Sequence, residues 1–221
     1  MYFHYLLFNI LVLAGPLAFS FEKRIHFISH LRRILLALLP VLLLYVLWDS
    51  HVAGKHWFFS PTATLSFRLF NLPIEEWLFF LTVPYASLFV WENIRLLVRD
   101  KVFLFFALVQ VILCCALPVG IVLFGHGKEY TSLALIVTGL TALLDRVLRT
   151  NLLLHLRTWV YLGIITVFLL LCNGFLTALP VVMYSTAHQL EIRIIMIPIE
   201  DFFYGHSMCL LTTMLYEKLR S

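Results

Sequence analysis

Seven apolar runs, each near the roughly 17–25 residues needed to cross a hydrocarbon core, fill most of this 221-residue chain. They lie near Tyr2–Phe19, Leu31–Trp48, Leu72–Trp91, Val102–Phe124, Tyr130–Leu148, Trp159–Leu179 and Ile194–Tyr216. In lipid every backbone N–H and C=O must be satisfied within the fold, so runs of this kind are helices. The expected fold class is all-α, a polytopic membrane protein of seven transmembrane helices. Composition agrees: 62% of residues are hydrophobic and 13% charged, against roughly 45–50% and ~25% in soluble domains. Disorder and a disulfide-rich secreted scaffold are excluded on the same grounds. A net charge of +4 is too small and too dispersed for a nucleic-acid reader. Cys114, Cys115, Cys172 and Cys209 fall inside apolar runs without a C-x-x-C pair, so they read as small buried hydrophobes.

Charge orients the spans. The first run ends in a small-residue stretch, Gly15 to Ser20, as a cleavable signal does. No positive charge precedes it, however, and Lys23 and Arg24 follow it, so a retained helix with its N-terminus outside is expected. Twelve Lys and Arg residues fall in the connections after the first, third and fifth spans and in the C-terminal tail, against four on the other side (Lys55, Arg68, Lys128, Arg193). The positive-inside rule then makes the C-terminus cytoplasmic and the protein a multi-pass cell-membrane protein.

The chain also repeats itself, ungapped, at an offset of 125 residues. Arg24, His30 and Arg32 recur as Arg149, His155 and Arg157, and Arg68 recurs as Arg193. Pro73-Ile74-Glu75-Glu76 recurs as Pro198-Ile199-Glu200-Asp201, and Glu92 and Arg95 as Glu217 and Arg220. Polar and proline positions are scarce in such a chain, so this agreement marks an internal repeat. The expected organisation is a first three-helix repeat at residues 1–96, a connector transmembrane helix at 97–125, and a second three-helix repeat at 126–221. An odd connector makes the repeats parallel, related by a pseudo-two-fold axis along the membrane normal. Both acidic motifs then lie at one depth, and four carboxylates are expected to converge on one pocket.

Proline followed by acids is an ordinary helix start. Two such starts in register, each running into aromatics rather than a polar loop, point further, because ionisable groups at membrane depth are costly and functional by default. Glu75, Glu76, Glu200 and Asp201 are the candidate catalytic residues. A protonated acid beside an ionised partner is the arrangement that donates and later removes a proton. Trp57, Trp77, Phe79, Phe80, Tyr85, Phe202, Phe203 and Tyr204 are the candidate substrate-binding residues, offering π faces to a transient cation. Asp49, Arg68, Asn173, Arg193 and His206 are candidate polar supports. No H-e-x-x-H-like metal spacing and no G-x-G-x-x-G opening a helix occur, so no metal and no cofactor is expected.

These residues resemble a known family. The stretch from Trp48-Asp49 through Gly54, Trp57 and Phe58 to Pro73-Ile74-Glu75-Glu76, Phe79-Phe80, Pro84-Tyr85 and Trp91-Glu92 is similar to the first half of the small membrane lycopene cyclases. The stretch from Asn173 through Leu176-Thr177, Val182 and Tyr184 to Arg193, Pro198-Ile199-Glu200-Asp201-Phe202 and Tyr204-Gly205 is similar to the second. The resemblance implies a fused lycopene β-cyclase that closes the ends of lycopene into β-ionone rings, giving γ-carotene and then β-carotene. It implies a cofactor-independent isomerase (an intramolecular lyase) whose partners are the carotenoid, the bilayer and other enzymes of carotenoid biosynthesis, with no nucleic acid. Cyclisation of C50 or ε-type ends is the neighbouring reading. From another class, a proton-coupled transporter would also use repeats and intramembrane acids, though it would be expected to break its helices in matching places, and Pro84 is matched by Cys209.

Overall fold

The computed structural model describes residues 3–220. Met1, Ser221 and Tyr2, the expected start of the first span, lie outside the described residues, as do the extreme ends of the 1–96 and 126–221 units. Among the described residues there are seven α-helices: α1 (His4–Phe19), α2 (Leu31–Val52), α3 (Ile74–Leu97), α4 (Leu104–Phe124), α5 (Glu129–Val147), α6 (Leu156–Ala178) and α7 (Ile199–Lys218). By length and composition four segments can cross a membrane: Phe27–Val52, which holds α2, and α4, α5 and α6. The shorter α1 is equally apolar, while α3 and α7 each start with two acids. Outward-facing leucines on α2, such as Leu43 and Leu47, are exposed, whereas Tyr45, Asp49 and Glu76 are buried. This is an all-α polytopic membrane protein, apolar on its outside and with its acids buried within an otherwise apolar core.

The helix starts show why the repeated motif is where it is. Pro73 and Pro198 cap α3 and α7 in extended conformation, where the missing N–H costs nothing. Just before each, two short strands pair: β2 (Arg68–Leu69) with β3 (Leu72–Pro73), and β5 (Arg193–Ile194) with β6 (Ile197–Pro198). Their registers are identical after the 125-residue shift. The tight turns require positive φ at Phe70 (51°) and Asn71 (65°), and at Ile195 (61°). A β-branched residue is poorly suited to that conformation, so Ile195 marks a backbone turn kept from the repeat despite its side chain.

A third pairing joins the halves. Strand β1 (Trp57–Phe59) runs antiparallel to β4 (Val182–Tyr184), with Trp57 opposite Tyr184, Phe58 opposite Met183 and Phe59 opposite Val182. Shifted by 125, β1 is β4, so the register is self-complementary: a two-fold axis through Phe58 and Met183 maps the ribbon onto itself. Flanking bonds repeat the pattern, Ser60 N to Val181 O and Ser185 N to His56 O. These strands, too short for a span and lacking long alternation, leave no clear trace in the hydrophobic pattern.

The other end of the bundle is joined by charge. Arg95 pairs with Glu217 at 3.5 Å, and its repeat partner Arg220 bonds Glu92. Arg33 adds to Glu92, and Trp91 donates to Glu217. Since α3 and α7 meet here at their C-terminal ends and face a common cavity at their N-terminal ends, they run in the same direction. The connector α4 leans on α5 rather than on the axis. At Gly139 an added Cβ would stand 2.5 Å from the Leu117 backbone nitrogen, and at Gly120 it would stand 2.7 Å from the Ser132 carbonyl. Small residues let two helices approach closely where lipid offers no hydrophobic drive.

Gly139→Ala should therefore push α4 off α5, costing about 1–3 kcal/mol and lowering the thermal midpoint in detergent. Gly163→Ala, with nothing within 4 Å, should leave the midpoint unchanged.

Candidate active site

A cavity of about 460 Å³ lies between the two halves, beneath the β1–β4 ribbon. It is lined by three carboxyl side chains, Asp49, Glu76 and Asp201, and by Tyr5, Trp57, Phe59, Phe79, Tyr130, Tyr184 and Tyr204 among the aromatics. No Lys or Arg is among the described lining residues.

Glu76 and Asp201 hold equivalent places on α3 and α7, and each meets a tyrosine from the first turns of the helix that begins its own half. Tyr5 of α1 donates to Glu76, and Tyr130 of α5 donates to Asp201 at 2.5 Å. Tyr5 and Tyr130 are themselves 125 residues apart. In sequence they look like interfacial aromatics at the ends of spans; the repeat offset applied to tyrosines as well as acids is the signal that finds them.

Beyond this shared core the halves differ. Asp201 accepts two further hydrogen bonds, from Tyr184 Oη at 2.6 Å and Asn173 Nδ2 at 3.0 Å. Glu76 shares the cavity lining with a further carboxyl, Asp49, which accepts from Tyr204 Oη at 2.8 Å. The repeat equivalent of Asp49 is Gly174, so the second half has no such pair.

The expectation that four carboxylates share one pocket is corrected to two of the four plus Asp49. Glu75 and Glu200 are buried but turn away, because adjacent helical positions point ~100° apart. Glu75 Oε1 accepts from Leu65 N at 2.6 Å; Glu200 Oε1 accepts from Leu190 N at 2.8 Å and from Thr131 Oγ1 at 2.5 Å. They tie the preceding loops to the helix starts, again at matching positions.

Of the aromatics named from sequence, Trp57, Phe79 and Tyr204 line the cavity. Trp77 instead donates to Leu69 O in the hairpin, and Phe80 packs against Tyr45. Tyr85 bonds the Ser20 hydroxyl beside Phe27. Phe202 is buried and Phe203 half-buried, neither on the cavity wall. Among the polar supports, Asp49 and Asn173 line the cavity. Arg68 and Arg193 are exposed in the hairpins, Arg193 reaching Met196 O. His206 is held on α6 by Thr166 and by Leu162 O, and on its own helix by Phe202 O.

One side of the cavity is open. Leu11 on α1 and Phe168 and Leu171 on α6 line it and are 63%, 49% and 66% exposed on the apolar surface. The symmetry-related opening is closed: Leu11 recurs as Ile136, which lies against α4 at Gly120, and Leu171 recurs as buried Val46.

Tyr130→Phe removes one of the three donors to Asp201 and should cost about 1–3 kcal/mol. It would be read as a lower thermal midpoint with the helical content unchanged.

The family described as Lycopene cyclase matches the chain twice, over residues 2–94 and 127–219. The two matches are themselves offset by 125 residues, and each contains one half's acid and its tyrosine. Comparison with curated proteins and with solved structures gives no significant match. Matched over most of its length, with both acidic motifs inside the matched stretches, the chain belongs to the lycopene cyclase family, whose members are enzymes acting on carotenoids.

Proposed function

We propose that this chain is a lycopene β-cyclase that closes the ends of lycopene by acid–base chemistry alone, giving γ-carotene and β-carotene, with two three-helix units (1–96 and 126–221) joined by a connector (97–125). The observation that carries the reading is the cavity itself: three carboxyl groups and a wall of aromatics with no cationic side chain among its described lining residues. Such a site gains most when a cation forms inside it, and preorganised charge aimed at a developing charge is the largest common source of rate enhancement. Aromatic faces add to the same effect.

Two buried carboxyls lining one apolar cavity favour holding one proton between them over two charges. Asp49 and Glu76 are therefore the acid, acting as a pair. The pair delivers its proton to C2 of the terminal double bond, leaving a cation at C1. The C5–C6 double bond attacks C1, forming the C1–C6 bond and moving the charge to C5. Asp201, which receives three neutral donors and no carboxyl partner, takes the proton from C6, and the freed electron pair makes the C5–C6 double bond. Atoms balance without a redox change, so the ring closure takes no electrons from a flavin or nicotinamide. Glu75 and Glu200 position these groups from behind.

The opening between α1 and α6 suits a substrate dissolved in the bilayer, since an end of the polyene can slide in sideways without leaving the apolar phase. Charge gives the orientation, with the acids, the ribbon, Lys55, Lys128, Arg68 and Arg193 at the outer side and the Arg-rich cluster at the cytoplasmic side.

Expression in lycopene-accumulating cells, followed by pigment chromatography, tests the function. In deuterated water each new ring should carry one solvent deuteron. Asp49→Asn and Glu76→Gln should leave lycopene unconverted, down by ~10²–10⁴-fold, with membrane insertion unchanged. Asp201→Asn should slow the reaction and divert the trapped cation to other ring isomers or an alcohol, an outcome that a purely structural role for Asp201 would not produce. Near-normal β-carotene from all three variants would overturn the reading.

The opening has its own test. Leu171→Trp should lower kcat/KM by about tenfold, or ~1.4 kcal/mol of barrier. Leu47→Trp, equally lipid-facing on the closed side, should not.

A further inference from the structure

Behind the ribbon, outside the cavity, three residues distant in sequence meet. His56 follows α2, Glu129 opens α5, and His188 ends a short turn of helix over Thr186–His188. Their ligand atoms all lie within 4.8 Å of one another. His56 Nε2 is 3.0 Å from Glu129 Oε2, and the two imidazole rings are centred 4.8 Å apart. Bonds of ~2.0–2.2 Å to a tetrahedral ion place neighbouring ligand atoms roughly 3.3 Å apart, so the first pair already has the spacing and His188 has up to about 1.5 Å to close.

The second observation is unsatisfied nitrogen. The buried Nδ1 of His188 finds no protein partner, and the fully buried His56, which presents Nε2 to Glu129, leaves its other ring nitrogen, Nδ1, unpaired as well. The adjoining Gln189 side chain, also buried, has neither its oxygen nor its nitrogen bonded. Buried polar atoms are nearly always paired, and a cluster of exceptions marks a missing water or ion. Lys55 sits on the same carboxylate, its Nζ 2.6 Å from Glu129 Oε2. Its side chain is 53% exposed and free to swing into solvent, so the ammonium stands where a cation is wanted without blocking one.

We infer that His56, Glu129 and His188 form a binding site for one divalent transition-metal ion of the zinc class, with solvent completing the coordination. Two imidazoles and one carboxylate suit that ion. The repeat does not duplicate the site: the equivalents of His56 and His188 are Val181 and Ala63. Its place is structural, away from the acids. His56 belongs to the first half, while Glu129 and His188 belong to the second. His56 O also accepts from Ser185 N at 2.8 Å, next to the strand that carries Tyr184. An ion here would pin the ribbon that covers the cavity. This inference does not depend on which reaction the cavity performs.

The test uses the full chain in detergent, without a histidine tag, stripped with a chelator and titrated with zinc sulfate against a chromogenic indicator. One equivalent should bind, and the thermal midpoint should rise on loading. His188→Ala and Glu129→Gln should each weaken binding at least about tenfold, while keeping the midpoint of the stripped protein. His188→Gln serves if the alanine variant does not fold. Lys55→Met should bind at least as tightly as the unchanged chain. Absence of stoichiometric binding, or equal affinity in the His188 and Glu129 variants, would overturn the site.

Discussion

A carboxyl group enclosed by apolar helices has to be hydrogen-bonded, and much of this molecule is arranged around meeting that demand twice. Glu76 and Asp201 are buried, and protein supplies their donors. The first turns of α1 and α5 supply a tyrosine each, which fixes how the opening helix of each half leans on its closing helix. The ribbon contributes Tyr184, α6 contributes Asn173, and α7 reaches across to Asp49 through Tyr204. Each donor comes from a different element, so the acids act as the nodes that set helix positions, while the leucines outside face lipid and specify little.

The pseudo-two-fold arrangement is closest at the ends and loosest in the middle. The ribbon register, the hairpins, the loop bonds to Glu75 and Glu200, and the crossed Glu92–Arg220 and Glu217–Arg95 pairs all obey it. Within the cavity it is broken by single substitutions. The repeat equivalent of Asp49 is Gly174, that of Trp48 is Asn173, and that of Phe59 is Tyr184. Two like sites become one with an acid pair on one wall and a hydrogen-bonded single acid on the other. The connector breaks the symmetry from outside by covering α5, leaving one opening toward the bilayer. Duplication supplies a scaffold, and a few side chains make it directional.

What could be read from sequence follows the same division. Seven helices and the repeat were visible because lipid enforces long apolar runs and makes each polar residue conspicuous. Glu76 and Asp201 stood out for that reason, as did Asp49 and Asn173 as supports. Glu75 and Glu200 were indistinguishable from their neighbours, since only the helix phase decides which of two adjacent acids faces inward. Tyr5 and Tyr130 were hidden among the many aromatics expected at membrane interfaces. Phe80, Trp77 and Tyr85 lie close to the acids in sequence but spend their faces on Tyr45, the hairpin and Phe27. The strands were unreadable: two or three residues carry no period, and their partners lie in the other half.

The ribbon has a consequence for how the chain is made. Strand β1 is synthesised 125 residues before β4, and until then the backbone groups that pair with β4 have no partner at the edge of an incomplete bundle. A register that maps onto itself offers the waiting strand a second acceptable partner, the same strand of another nascent chain. Correct assembly is then a contest between tethered and untethered pairing. The intervening helices α3 to α6 act as the tether, holding the late strand at a local concentration that a neighbouring chain must exceed before it can intrude.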